Sequence, residues 1–299
     1  MNEKLNDIKR YDYSDILGWS VSRYDKFKLC KRQYYFDYYG KYDTEYPRSK
    51  INALKNMTSA ALEIGNIIHD TIKAFLERLL ENEAPVSSEK FLEYARKKTD
   101  EYCASKIFTE VYYKQLENVY THIIFEKVKV GLNNFLGSDR CSWIIEKAIT
   151  NKTGWVIEPP GFGETRIDGM KAYCKVDFLF PVDSDIFILD WKTGKADEKK
   201  HSKQLIGYAT WASNNFNKEP SKIFPVTAYL QPQYSESSIK VNMADITAFA
   251  DTVKTETTEM YAMLKSVEQN IPKEKKDFAM TDNMKICSFC NYRELCFPK

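Results

Sequence analysis

The segment KVDFLFPVDSDIFILDWKTGK, residues 175–195, decides how the chain is read. It is rich in β-branched and aromatic residues and is broken by the turn signal Val182-Asp183-Ser184-Asp185, so it reads as two strands joined by a turn. The second strand ends Asp190-Trp191-Lys192. Residues two apart on a strand share a face, so Asp190 and Lys192 point the same way. If the strands pair as a hairpin, Asp177 approaches that face as well. Carboxylate oxygens suit Mg²⁺ or Mn²⁺, and a lysine beside them can orient a water or neutralise charge developing on a phosphate. Alone, Asp-x-Lys is equally a salt bridge on a solvated hairpin, and its neighbours must decide.

Working outward, Gly-, Pro- and aromatic-rich sequence predicts a meander of three strands at about 154–158, 171–181 and 186–191. A helix is expected over 200–214, a strand over 224–232, a further strand over 239–243, and a helix over 244–269. A charged linker, PKEKKD, then leads into the tail. Upstream, residues 1–18 are polar. Ser22 is a plausible N-cap for a helix over about 22–38. From 55 to 150 the pattern is almost purely helical, with a long amphipathic run from Ala61 to Leu80, a Ser-capped helix from 87, and another long helix spanning VYYKQLENVYTHIIFEKVKVGLNNFL. The expected fold class is therefore α/β: a mixed sheet core flanked by helices, in one domain over 1–299. Within it lie an N-terminal helical segment (19–50), a helical block (55–150), an α/β core (153–270) and a cysteine-bearing tail (280–299).

Composition bounds the function. A hydrophobic content of 43% over 299 residues supports a sizeable core. With 44 basic against 42 acidic residues, a nucleic-acid partner cannot be argued from bulk charge, so any basic surface must be local. The stretch KADEKKHSKQ, residues 195–204, is the best such patch. The first residues carry no apolar signal region and no run approaches a membrane span, so a cytoplasmic protein with no membrane partner is expected. There is no Walker-type phosphate loop.

Asp-x-Lys has company. GNIIHD places His69 four residues after Gly65 on a helix, and KQLIGYATWA places Gln204 and Tyr208 one helical turn apart on one face. Taken in order, Gly-x₃-His, then Asp177, then Asp190-x-Lys192-Thr-Gly, then Gln-x₃-Tyr, this set resembles the RecB-type branch of the PD-(D/E)XK nuclease superfamily. The resemblance implies a restriction-endonuclease-like core. It implies His69, Asp177, Asp190 and the backbone carbonyl of Trp191 as ligands of Mg²⁺ or Mn²⁺, Asp177, Asp190 and Lys192 as catalytic residues, and Gln204 and Tyr208 as contacts to the nucleic-acid strand. Cys174 stands where the family usually has glycine, and either Glu158 or Glu164 could be the acidic residue that often precedes the hairpin. His122 and His201 lie outside the pattern.

The cysteines extend it. Seven cysteines in a reducing compartment do not form a disulfide framework. Cys287, Cys290 and Cys296 are spaced C-x₂-C-x₅-C. Four thiolates hold either Zn²⁺ or a [4Fe–4S] cluster, and spacing alone does not separate them. A cluster-bearing subset of the same superfamily, similar to AddB-type subunits and CRISPR-adaptation nucleases, carries one cysteine upstream of the nuclease motifs and three after them. That resemblance implies Cys30 as the fourth ligand and a [4Fe–4S] cluster over zinc. Cys103, Cys141 and Cys174 read as small core residues. The aromatic run Tyr34–Tyr39 could stack on bases but is better read as packing, and Lys31 and Arg32 could touch phosphates.

The expected function is a metal-dependent DNA nuclease acting on single strands or free ends in recombination, repair or replication, with a helicase or integrase as a possible protein partner. The alternatives are a nuclease that trims new CRISPR spacers and a non-catalytic DNA-end-binding subunit.

Overall fold

The computed structural model describes residues 8–82 and 86–298. In chain order its helices are α1 (Val21–Leu29), α2 (Lys31–Tyr39), α3 (Arg48–Lys55), α4 (Ala60–Asn82), α5 (Ser88–Ser105), α6 (Thr109–Tyr112), α7 (Thr121–Leu136), α8 (Asp139–Glu146), α9 (Glu198–Phe216), α10 (Met243–Tyr261), α11 (Met284–Ser288) and α12 (Arg293–Cys296). The strands are β1 (Val156–Ile157), β2 (Glu164–Ile167), β3 (Met170–Tyr173), β4 (Phe178–Val182), β5 (Asp185–Lys192), β6 (Ile223–Tyr229), β7 (Ser235–Ser238), β8 (Leu264–Ser266) and β9 (Ile271–Pro272).

Among the described residues the central sheet has five strands in the order β1-β4-β5-β6-β7. The β4–β5 hairpin is antiparallel with Phe178 opposite Leu189, β5 and β6 run parallel, and β7 closes the edge antiparallel to β6. The parallel pair needs a crossover, and α9 supplies it. The sheet separates two apolar cores. Phe178, Phe180, Leu189, Trp191, Val226 and Ala228 pack with Ile67, Ile68, Phe75, Val128 and Phe135 of the helical block. Leu179, Ile186 and Ile188 face Leu205, Ala209 and Trp211 of α9. This is the period-two alternation of strands buried on both faces. It puts Asp190 and Lys192 on the α9 side.

Several elements differ from the sequence expectation. The helix expected over 22–38 is two helices, broken at Cys30, which is extended and caps both α1 and α2. The strand expected over 171–181 is β3 plus β4, in different sheets: β3 pairs with β2 and, by a parallel bridge at Ala172, with Trp19, and residues 174–177 cross between β3 and β4. Part of the helix expected through VYYKQLENVY is the short α6 and a non-helical stretch, and α7 begins at Thr121. The edge strand is the polar Ser235–Ser238, not 239–243; Val241 is buried but lies outside any strand. The helix expected to 269 ends at Tyr261, and the β8–β9 hairpin follows. The tight turn Pro160–Gly163 carries left-handed backbone at Gly161, Phe162 and Gly163. No helix among the described residues is long and apolar enough to cross a membrane.

Candidate active site

Extending the β4–β5 register by one pair sets Asp177 across from Asp190, at the end where the hairpin ladder stops. Asp190 is 2% exposed. Its Oδ1 accepts from the Tyr208 hydroxyl at 2.8 Å, and its Oδ2 lies 2.5 Å from the Lys192 ammonium. Gln204 Nε2 in turn donates to the Tyr208 hydroxyl at 2.5 Å. Asp177 Oδ2 accepts from the Trp191 backbone N–H at 2.9 Å and lies 3.3 Å from His69 Nδ1. The N–H and C=O of one strand residue face the same neighbour, so the Trp191 carbonyl is turned to the Asp177 side while its indole is buried in the helical-block core. The structure thus brings His69, Asp177, Asp190, Trp191, Lys192, Gln204 and Tyr208 together. Tyr208 is buried with its hydroxyl on Asp190 and fixes that carboxylate.

The two carboxylates differ in charge preference. Burial raises both. At Asp177 it is outweighed by His69, Lys192 and the Trp191 N–H, which hold the carboxyl below its ordinary value. At Asp190 burial and the neighbouring Asp177 charge prevail over Lys192 and Tyr208, and the carboxyl is raised. Burial disfavours the charged form of His69, but Asp177 and Asp190 overcome it and raise the imidazole. Tyr208 is held well above its ordinary value by burial and then by the Asp190 and Asp177 charges.

Local sequence explains the convergence. A Cβ on Gly65 would lie 3.2 Å from Thr193 Oγ1, so glycine lets α4 approach the strand end that bears Lys192, and His69 follows one turn later. Glu158, not Glu164, is the acidic residue beside the site. Its carboxylate bridges Lys73 (2.8 Å) and Lys175 (2.9 Å), and its N–H donates to the Asp177 carbonyl. Lys73 lies one turn beyond His69 on α4, so the bridge ties the helix carrying His69 to the chain leading into Asp177. Glu164 pairs with Arg166 on β2. Lys73 and Lys175 were not singled out from sequence, since a lone lysine gives no periodic signal. Cys174 is buried against α9, with Gly207 facing its sulfur.

Among the described residues, no three His, Cys, Asp or Glu side chains already converge as metal ligands. In the acidic pair the reason is visible: protein cations and N–H groups occupy the carboxylates. The donor set nevertheless fits a hard divalent cation. Two facing carboxylates repel, and the Lys192 ammonium is the one partner of the buried Asp190 Oδ2 among the described residues.

Cys30, Cys287, Cys290 and Cys296 line one small cavity. The Gln33 N–H donates to Cys30 Sγ at 3.5 Å and the Tyr292 N–H to Cys290 Sγ at 3.4 Å. Burial, with Cys296 and Cys30 nearby, pushes the Cys290 thiol up to about 12. N–H donors aimed at sulfur suit a thiolate-ligated centre. Cys141 and Cys174 are buried core residues as expected, and Cys103 is half-buried.

The basic patch is partly consumed internally. Lys203 pairs with Glu256, which also accepts from the Trp19 indole, and His201 bonds the Tyr229 hydroxyl at 2.7 Å. Lys195 and Lys199 are exposed. Tyr34, Tyr35, Phe36 and Tyr39 are buried, in line with packing, whereas Tyr38 is exposed. Arg32 donates to the Phe278 carbonyl, and the Lys31 ammonium sits over the Phe27 ring.

The crystal structure of SSO0001 is similar at 18% identity over 64% of this chain and 79% of that one, with a TM-score of 0.32. No curated protein matches the chain. The family model of the PD-(D/E)XK nuclease superfamily matches residues 18–297, the span that holds both the paired aspartates with Lys192 and all four clustered cysteines, and the chain belongs to that superfamily.

Proposed function

We propose that the chain is a metal-dependent DNA nuclease of the RecB type, acting on single strands or free ends. The observation that carries this reading is Asp177 facing Asp190 with Lys192 2.5 Å from the latter. His69, Asp177, Asp190 and the Trp191 carbonyl would hold Mg²⁺ or Mn²⁺, which when bound supplies Lewis-acid polarisation of the phosphate and a more acidic water. The protein's own part follows from the geometry. Tyr208 and Gln204 fix the Asp190 carboxylate. The Trp191 N–H and His69 fix Asp177. Lys192, whose ammonium lies beside Asp190 at the strand end, would present its positive charge to the phosphate oxygens and orient the attacking water. Intact ligands and lysine weigh against a purely DNA-binding subunit.

The same reading gives the four cysteines a [4Fe–4S] cluster, with Zn²⁺ as the competing occupant, in a structural role. The cavity they share lies between α2 and the tail, and none of the proposed nuclease residues lines it.

End-labelled single strands incubated with Mg²⁺ or Mn²⁺ are expected to be cleaved by the wild type, with at least a hundredfold loss in Asp190→Ala and in Lys192→Ala while both keep native circular dichroism. Undiminished cleavage by both folded variants would end this assignment. Anaerobic purification with an absorption spectrum and iron and zinc analysis separates the cluster from zinc.

A further inference from the structure

Beside Tyr208 the structure opens a cavity of about 480 Å³, within the range of about 300–1,000 Å³ that holds small organic groups. Its lining includes Tyr38, Phe162, Tyr173, Gln204 and Tyr208. One side chain links it to the acidic pair: Tyr208 lines the cavity, and its hydroxyl is bonded to Asp190. Two of its rings are fixed in place. The Tyr173 ring is seated on Gly18, where a Cβ would come within 2.2 Å of it, and Tyr38 is held by the Arg23 guanidinium 4.1 Å above its ring.

Phe162 is different. It is 67% exposed, so core packing does not account for an aromatic residue there. Its φ is +58°, between Gly161 at +64° and Gly163 at +65°. Left-handed backbone is unfavourable for a bulky side chain and persists only where the surroundings enforce it. Here they do: a Cβ on Gly163 would lie 2.2 Å from the Cys174 carbonyl oxygen, and the Cys174 N–H donates to the Gly163 carbonyl. The turn therefore holds an exposed ring at the mouth of an aromatic cavity that adjoins the proposed scissile-phosphate seat.

We propose that this cavity receives an unpaired nucleobase of the nucleotide next to the scissile phosphate, stacked on Phe162. The inference rests on the nuclease reading above and adds what the strand must offer. A base held in a duplex is stacked on its neighbours and paired, and it enters such a cavity only by leaving both. A single strand presents its bases directly. Every base has a π-face, so the selection is for unpaired structure and not for sequence. Lys175, also on the lining, shares Glu158 with Lys73, so the two ammonium groups outnumber the carboxylate beside the cavity.

The test uses the full chain and short oligo-dT carrying one 2-aminopurine, scanned along the strand, without divalent ions. Wild type is expected to quench the probe at one or two adjacent positions in single strands, and not at the same positions inside a hairpin duplex. Phe162→Ala and Phe162→Asn are expected to lose the quench and bind about 5- to 100-fold more weakly, while Phe162→Trp retains both. Asn tolerates left-handed backbone, so its thermal midpoint should equal or exceed that of wild type, which separates the ring from the shape of the turn. Quenching equal in duplex and single strand, no quenching at any position, or unchanged binding in Phe162→Asn overturns the proposal. A separate cleavage assay keeps the two readings apart. If wild type cleaves and Phe162→Ala cleaves with unchanged KM, only the stacking role is lost; if wild type cleaves nothing in Mg²⁺ or Mn²⁺, the nuclease reading is lost.

Discussion

Asp177 and Asp190 have the same side chain and opposite charge preferences, and the difference comes from what each accepts. Asp177 takes a backbone N–H and faces an imidazole; Asp190 takes one hydroxyl and one ammonium in a drier position. The Tyr208 hydroxyl is thus part of what makes a buried carboxylate bearable. Tyr208→Phe removes a hydrogen bond to that group and keeps the ring. It is expected to lower unfolding free energy by about 1.5–3 kcal/mol, read by urea melts of metal-free protein, and to reduce cleavage mainly through kcat. Unchanged melts would show that Asp190 does not depend on the hydroxyl. At this scale the sequence was most informative where spacing has a geometric meaning. Asp190 and Lys192 are two apart on a strand, and Gln204 and Tyr208 are four apart on a helix; both pairs lie together. Glu158 could not be separated from Glu164 in advance, because the choice depends on Lys73, which is distant in sequence and reaches Glu158 only when α4 docks.

Elements were legible where they carry apolar periodicity and illegible where long-range contacts set their ends. Nothing between Ser22 and Tyr38 announces a break. The break at Cys30 goes with a tie to the far end of the chain: the Arg32 N–H donates to the Ala279 carbonyl, and its side chain to the Phe278 carbonyl. The edge strand β7 has no apolar pattern at all, and its sequence is Ser-Glu-Ser-Ser. It is held by ladder bonds to β6 and by Arg140 of α8, which grips Glu236 through Nε (2.9 Å) and Nη2 (2.6 Å). Burial raises the Glu236 carboxyl, but Arg140 and Tyr234 outweigh it, so the group lies below its ordinary 4.5. A carboxyl lowered on folding contributes stability that is fully present above the unfolded value and lost as the pH falls through the folded one. Glu236→Gln is therefore expected to cost about 1–2 kcal/mol near neutrality, with the gap from wild type closing in acid below the ordinary carboxyl range. A gap independent of pH in parallel denaturation series would contradict this.

For the whole molecule, the mixed sheet with helices on both faces followed from the order of strand-like and helix-like segments, and the pairing of the tail with Cys30 was implied by the family resemblance. Neither showed how much core the tail itself supplies. Phe278, Tyr292 and Leu295 are buried in the α9-side core with Tyr34, Tyr35 and Phe36. Tyr113 and Asn291 tie the tail to the helical block: the Tyr113 hydroxyl donates to the Asn291 carbonyl, and the Asn291 amide to the carbonyls of Leu54 and Met57. On the proposed four-cysteine centre, Cys30→Ala is expected to lower the thermal midpoint and the iron or zinc content together, because it would free a long loop as well as a ligand. A variant that loses its metal yet melts with wild type would show that the packing alone holds the tail.

That packing also sets a timetable. Tyr292 bonds Asp37 across 255 residues of chain. At about 5–20 residues per second of synthesis, α2 would wait on the order of 10–50 s for its partner to be made. Through that interval the aromatic face of α2 has no permanent cover. Nascent chains halted before residue 278 should therefore be held by chaperones or cut by proteases within 21–39, and the same segment should become resistant once 278–296 is released.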